Sequence, residues 1–125
     1  MNKAREVTIN ARHLEMLMLI VNSAVPKSQD DYRKGGMVLD IIEPPHKDIV
    51  VPFFRSIKEG SEVTWETLEA EPVTLILLPD VWAWIKNAVK STTAVRMGFS
   101  RQKNELEDLI CEAKEIDLVK KVEED

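Results

Sequence analysis

This chain has few histidine and cysteine side chains, the residue types that bind zinc and that often serve as catalytic bases and nucleophiles. The two histidines, His13 and His46, lie far apart in the sequence, and the single cysteine, Cys111, is adjacent to neither. A structural zinc site needs about four ligands at a recognisable spacing, and a catalytic zinc site needs about three. Because Glu107 and Glu112 lie close to Cys111 in the sequence, their charges disfavour a reactive thiolate. We therefore expect no metal site, no cofactor and no catalytic residue.

The acidic residues near the C-terminal end offer a second candidate cation site. Glu105, Asp108 and Glu112 share one helical face, and carboxylate oxygens are the ligands that hard cations prefer. No further ligand stands at a matching spacing, and such a run of charges is typical of a solvated helix face. The sequence also contains no nucleotide-binding glycine loop, nucleophile elbow or zinc-protease motif. These observations favour a non-catalytic protein; the alternative is a ligand- or metal-dependent enzyme with its site in residues 44–70.

The basic residues are concentrated in one block. Between Val81 and Asn104 the chain has five basic residues and no acidic one, although its net charge is −5. Such a block can contact phosphate groups, with Trp82 or Trp84 as a stacking surface for bases. Alternatively, it pairs with the acidic segments on either side of it, which would fix how neighbouring elements pack. The candidate nucleic-acid contacts are Lys86, Lys90, Arg96, Arg101 and Lys103.

The length and composition are those of one folded domain, residues 1–125. The chain is 44% hydrophobic and 31% charged, which excludes a disordered polypeptide. The longest apolar run, Leu14–Val21, is interrupted by Glu15 and is much shorter than the roughly 20 residues of a membrane span. The N-terminal region has no apolar run ending in a cleavage site, and one cysteine forms no intrachain disulfide. We expect a cytoplasmic protein without membrane contact.

The sequence predicts that the chain uses one structural unit twice, which sets the expected fold. A shift of 65 positions aligns Ile20 with Ile85 and Asn22 with Asn87, and both regions begin with an extended segment. One such unit is too small to bury its own apolar face. The sequence therefore predicts an α+β, mostly helical fold with two strand–helix–helix units, residues 6–43 and 71–116. An irregular, proline-containing segment joins them.

The element boundaries of the first half follow from caps and helix breakers. Residues 5–9 predict a strand, Asn10 is the expected N-cap of the first helix, and Ser28 is that of the second. The pair at positions 35 and 36 is Gly-Gly, which costs helix stability. A second interpretation therefore remains open, in which residues 37–42 and 49–54 pair as a β-hairpin.

In the second half, residues 73–78 predict a strand and Pro79 the first residue of a helix. Ser100 is the expected N-cap of the last helix, which would extend to Ile116. The segment 61–65 fits either a short helix or an extended piece.

Two apolar features predict self-association. The first helix has a stripe wider than one core contact requires, and Trp82 and Trp84 point about 200° apart on their helix. We expect a small binding or assembly protein, a homodimer that acts as an accessory or regulator of another macromolecule. The alternatives are a monomer covered by residues 44–70 and a nucleic-acid-associated regulator that uses the basic block. The candidate interface residues are Met16, Leu19, Ile20, Trp82 and Trp84.

Overall fold

The computed structural model describes residues 3–60, 62, 64–93 and 95–117. Within them the chain forms a three-stranded antiparallel sheet and six α-helices, which confirms the α+β, mostly helical class. In chain order the elements are β1 Lys3–Asn10, α1 Ala11–Ser23, α2 Gln29–Pro45, a π-helical turn His46–Val50, α3 Val51–Lys58, α4 Trp65–Glu69, β2 Pro72–Leu77, α5 Pro79–Ser91, a 3-10 turn Met97–Phe99, α6 Ser100–Cys111 and β3 Lys114–Asp117.

The sheet places β1 in the centre, antiparallel to β2 on one side and to β3 on the other. In β2 the residues Val73, Leu75 and Leu77 are buried and those between them are exposed, the alternation of a strand covered on one face. Thr8 and Thr74 stand opposite each other, and their hydroxyl oxygens are 2.9 Å apart, within hydrogen-bonding distance. The helices therefore cover one face of the sheet, and the other face is exposed along β2, where it carries Thr74 and Ile76.

A reciprocal cap between Asn10 and His13 fixes the start of α1. The Asn10 side-chain oxygen accepts from the His13 N–H at 2.9 Å, and the Asn10 N–H donates to Nδ1 of His13. This confirms the predicted N-cap. Because Nδ1 accepts, Nε2 carries the proton of the neutral ring and faces the Glu105 carboxylate on α6 at 3.2 Å. One buried histidine thus both caps α1 and connects it to α6.

The core lies between the covered face of the sheet and the helices that pack on it. Burying one large apolar side chain contributes roughly 1.5–3 kcal/mol relative to leaving it in water. Within the described ranges, no helix combines the length and the apolar character that crossing a bilayer requires. The largest fully buried side chains belong to Leu14, Leu17, Ile20, Val38, Ile42, Val50, Leu68, Leu77, Val81, Ile85, Leu106 and Ile110.

The segment 44–70 was expected to be irregular, and the structure corrects this. The helix α2 continues through Pro44 and Pro45, and the chain passes through the π turn directly into α3. A proline disturbs a helix because it has no N–H to donate and crowds the preceding turn. In the π turn the backbone hydrogen bonds reach back five residues instead of four, as the bond from the Val51 N–H to the His46 carbonyl does. The helix type therefore changes directly after the two prolines, and the chain remains helical beyond them.

The alternative β-hairpin is also wrong, because residues 37–42 lie in α2 and residues 49–54 lie in the π turn and α3. The glycine pair lies inside α2, with Gly35 beside the ring of Trp84 and Gly36 facing open space. Burial of Val38 and Ile42 on the same helix outweighs the glycine cost, since most helix stability comes from tertiary packing. Of the undecided segment 61–65, residues 61 and 63 lie outside the described residues, and Trp65 begins the short helix α4.

The strand β3 was not predicted. It pairs with the start of β1, so Ile116 lies on a strand and not on the last helix. Lys3 donates to a Glu115 carboxylate oxygen at 3.1 Å, and Arg5 lies 3.5 Å from the other oxygen. The strand was hidden because Ile116 is the one apolar residue among its four, so the segment shows no apolar–polar alternation. The helix α6 also begins at Ser100 with Phe99 in the cap position, so Ser100 is not the N-cap.

The internal repeat is not confirmed. Both halves contain a strand and two helices in the same order. However, the cap positions of α1 and α5 are Asn10 and Leu78, so the helices start 68 and not 65 positions apart. Residues that the 65-position shift aligns, such as Ile20 and Ile85, consequently occupy different turns of their helices.

Candidate functional site

A groove lined mainly by apolar side chains opens between α1, α3, α4 and the 3-10 turn. Its volume is about 360 Å³. We call it the aromatic groove because three of its lining residues are aromatic. Its lining residues are Arg12, Glu15, Met16, Leu19, Phe54, Trp65, Val95, Arg96 and Phe99.

One face of α1 forms a wall of the aromatic groove. Arg12, Glu15, Met16 and Leu19 follow the spacing i, i+3, i+4 and i+7, which places them in one row along the helix. This row accounts for part of the wide apolar stripe noted in the sequence. Leu19 is 48% exposed, although it belongs to a helix with a fully buried opposite face. The groove is thus the part of the α1 stripe that the core does not cover.

Trp65, the first residue of α4, stands at the centre of the aromatic cluster. Its ring centroid is 6.0 Å from that of Phe54 and 6.5 Å from that of Phe99, in edge-on arrangements. Phe53 is buried behind them, with its ring 6.1 Å from that of Trp65. Adjacent residues on a helix point about 100° apart, so burial of Phe53 turns Phe54 outwards. Trp65 remains 38% exposed.

The charged side chains of the groove differ in their surroundings. The Arg12 guanidinium lies over Trp65, 4.9 Å from its ring centroid, and forms an ion pair with Glu69 on α4. The Glu15 carboxylate forms a hydrogen bond with Nε2 of His46 in the π turn. Arg96 lines the groove and is exposed. Arg12 therefore has an opposite charge as its partner within the chain and Glu15 has a hydrogen-bond partner, whereas Arg96 presents its charge to solvent.

The candidate interface residues of α1 do not share one environment. Ile20 is 1% exposed and belongs to the core of its own chain, so it is not accessible to a second chain in this fold. Met16 is also buried, although part of it lines the aromatic groove. Leu19 is the member of this set that a partner can contact directly.

Trp82 and Trp84 lie half-buried on opposite flanks of α5, in keeping with their predicted divergence. The Trp82 indole N–H donates to the carbonyl of Ile110 at 2.8 Å, and the cations of Arg5 and Lys86 lie 4.3 and 4.2 Å from the ring centroid. Trp84 packs towards α2 beside Gly35. Both tryptophans therefore contribute to packing within the chain, and neither lines the aromatic groove.

The residues of the basic block are distributed over several elements. Lys86 and Lys90 are one turn apart on α5, and Arg101 and Lys103 lie at the start of α6. Glu105, the first residue of the acidic segment that follows this block, is in contact with His13. Of the five residues, Arg96 is the one that lines the aromatic groove.

Metal ligation was not expected from the sequence. Within the part of the chain that the structure describes, no group of three or more His, Cys, Asp or Glu is arranged to hold a metal ion. The pair of His46 and Glu15 has the chemistry to transfer a proton, but such a pair also fastens two elements together. Here it connects the π turn to α1.

Three aromatic residues of the groove were not predicted from the sequence. Phe54 lies in the segment 49–54, which the second interpretation placed in a β-hairpin, and no sequence pattern indicated Trp65 or Phe99. The adjacent pair Phe53-Phe54 was the available signal, because adjacent residues on a helix point about 100° apart and the two rings therefore face different directions. Recognising it required the correct assignment of residues 49–54 as helical.

Comparison of the chain with protein-family models, curated proteins and solved structures found no match.

Proposed function

We propose that this protein is a small, non-catalytic, cytoplasmic binding and assembly protein that acts as an accessory or regulator of another macromolecule. Protein chains, other copies of this chain among them, are its proposed partners. The aromatic groove is the proposed contact surface. The observation that carries the proposal is the group of Phe54, Trp65 and Phe99, three aromatic rings that remain partly exposed beside Leu19.

The composition of the groove supports protein binding. Interface residues that contribute most to affinity are enriched in tryptophan and arginine and are surrounded by apolar contacts that exclude water. Trp65, Arg12 and Arg96 all line the groove. The Arg12 guanidinium already lies over the ring of Trp65, so a partner would meet a preformed surface and lose little entropy by ordering it.

The size of the groove also favours a protein partner. Sites for small molecules occupy roughly 300–1,000 Å³ and combine apolar walls with a few converging polar groups. This groove, at about 360 Å³, is near the lower limit. Two of its charged groups, Arg12 and Glu15, already bond within the chain. The volume and the mainly apolar lining of the groove suit a few apolar side chains of another protein chain.

A photo-crosslinking experiment tests the proposal. A benzophenone amino acid replaces Phe99 in the full-length protein in its native cells, and the matched control carries it at Val25, which is exposed and outside the groove. After irradiation, crosslinked products are identified by peptide mass spectrometry. We expect a protein product from position 99 that position 25 does not give, and we expect Leu19→Asp in the same chain to remove it.

Identical products from both positions, or no protein product from position 99, would contradict the proposal. A product that survives Leu19→Asp would do the same, because Leu19 is an exposed part of the groove wall.

Nucleic-acid binding is a second candidate function, and one specific observation favours it. Arg96, a member of the basic block, lies in the same groove as Trp65 and Phe99. Single-stranded nucleic acid is commonly held by basic side chains beside aromatic rings on which bases stack. Glu15 in the groove wall and the net charge of −5 disfavour phosphate, so we rank this function second.

A further inference from the structure

The aromatic groove has a projecting side chain directly beside it. Met97 is 86% exposed and begins the 3-10 turn whose last residue, Phe99, lines the groove. An exposed side chain thus lies in the same turn as a residue of the groove lining, next in the chain to Arg96, which also lines the groove. A two-fold contact between identical chains requires a self-complementary patch, because the same surface must supply both complementary parts.

The chemistry of this side chain matches that of the groove. Methionine is unbranched and adaptable, and its sulfur makes favourable contacts with aromatic rings at about 5 Å. The rings of Trp65, Phe54 and Phe99 form such a surface. An isolated methionine exposed to this extent has few contacts in its own chain, so inserting it into a second groove costs little packing.

The charges of the groove are also complementary to themselves. Glu15 and Arg96 both line it and carry opposite charges. Under a two-fold axis, Arg96 of each chain would meet Glu15 of the partner subunit, so the pair forms twice. Glu15 keeps its hydrogen bond with His46 in this arrangement, because a carboxylate has a second oxygen and further lone pairs to accept from an arginine.

We infer that the occupant of the aromatic groove is a second copy of this chain, bound across a two-fold axis. Met97 of each chain enters the groove of the other, and Arg96 pairs with Glu15 of the partner subunit. This inference rests on the proposed function, since it names the protein that the groove binds.

A charge exchange in the full chain tests the arrangement. In homogeneous Arg96→Glu the two carboxylates face each other, and in homogeneous Glu15→Arg the two guanidinium groups do. Mixing the two variants restores both opposite-charge pairs in the heterodimer. Like charges placed opposite each other in an interface are strongly unfavourable, so we expect each variant alone to raise Kd at least about tenfold and the mixture to return it to within about threefold of wild type.

Sedimentation velocity over a concentration series supplies the readout. The wild-type protein should reach twice the chain mass of 14.3 kDa, and circular dichroism checks that each variant is folded. Because Glu15→Arg also loses the contact with His46, Met97→Asp serves as an independent variant, since it alters an exposed side chain. We expect it to weaken the dimer, whereas Val25→Asp, equally exposed but outside the groove, should leave Kd unchanged.

The inference is overturned by a wild-type monomer at every concentration, by a dimer that survives Met97→Asp, or by a mixture that does not restore association. A monomer whose position 99 crosslinks to a different protein would reject the second copy and leave the proposed function standing. Failure of both experiments would reject the groove as a protein-binding surface.

Discussion

The Arg12 guanidinium lies 4.9 Å from the ring centroid of Trp65 and also pairs with Glu69, four residues further along the same short helix. One side chain of α1 therefore holds both ends of α4. A helix of five residues has little stability of its own, because short isolated helices are marginal in water. The position of Trp65, and with it the shape of the aromatic groove, depends on this contact.

Arg12→Lys should separate the stacking contact from the charge. Lysine keeps the positive charge that faces Glu69 but lacks the planar guanidinium that stacks on an indole. We expect the free energy of unfolding to fall by less than about 0.5–1 kcal/mol, the usual size of a partly exposed cation–π contact, because a lysine ammonium over the ring keeps part of that attraction. Urea unfolding measures it. In a Trp65→Leu background the same substitution should cost markedly less, and an equal cost would show that stacking contributes nothing.

Asn10→Ala should weaken the start of α1. It removes the side-chain oxygen that accepts from the His13 N–H, a change that costs about 1 kcal/mol at N-cap positions. Asn10→Asp keeps an acceptor at the same place and should stay close to wild type. Thermal unfolding of the two variants provides the comparison, and equal losses from both would mean that the cap is not what stabilises this helix end.

The sequence predicted the elements whose signals are local and strong. The N-caps at Asn10 and Ser28, the β2 strand and the start of α5 at Pro79 follow from one or two residues each. The prediction that Pro44 and Pro45 interrupt regular structure was wrong, because the effect of a proline depends on whether the helix can change its hydrogen-bonding pattern. Here the Val51 N–H reaches the His46 carbonyl.

The candidate site was less predictable because it is assembled from distant segments. The α1 stripe did indicate that the helix has more apolar surface than one core contact needs. Nothing local, however, indicates that Trp65 and Phe99 meet beside Leu19, since their approach depends on the path of the helical segment 46–58. β3 was hidden for a similar reason, because its pairing with Lys3–Glu6 is a contact between the two ends of the described chain.

Replacing two of the glycines by alanine should change the stability of the protein in opposite directions. An added Cβ at Gly36, in the interior of α2, meets nothing within 4 Å. We expect Gly36→Ala to stabilise the protein by about 0.5–1 kcal/mol, because alanine is the better helix former and restricts the unfolded chain. Gly60 has a φ of 95°, where an L side chain is strained, so Gly60→Ala should destabilise. Chemical unfolding of both variants decides; a destabilised Gly36→Ala would indicate a contact at that face.

The Glu115 carboxyl should make stability depend on acid. The hydrogen bond and the charge of Lys3, with a smaller effect of Arg5, hold the pKa of Glu115 below its ordinary value. A carboxyl whose pKa is lower in the folded than in the unfolded state stabilises the folded protein at every pH above its unfolded-state pKa. This stabilisation is lost as the pH falls through the folded-state pKa. The difference in Tm between wild type and Glu115→Gln should therefore be present at neutral pH and shrink as the solution is acidified below the ordinary range of a glutamate. A difference that persists at low pH would assign the effect to packing of the side chain.

The salt dependence of oligonucleotide binding distinguishes the second candidate function from the first. If the groove held single-stranded nucleic acid, affinity would fall steeply with salt, because each neutralised phosphate releases counterions. Arg96→Glu and Trp65→Ala would then abolish the complex, whereas Lys86→Glu would have a smaller effect, since Lys86 lies over Trp82 and away from the groove lining. We expect no discrete complex in a mobility-shift assay at low salt, because Glu15 stands in the groove wall and the chain is acidic overall. A discrete complex lost in both groove variants and retained in Lys86→Glu would make nucleic acid the ligand of this site.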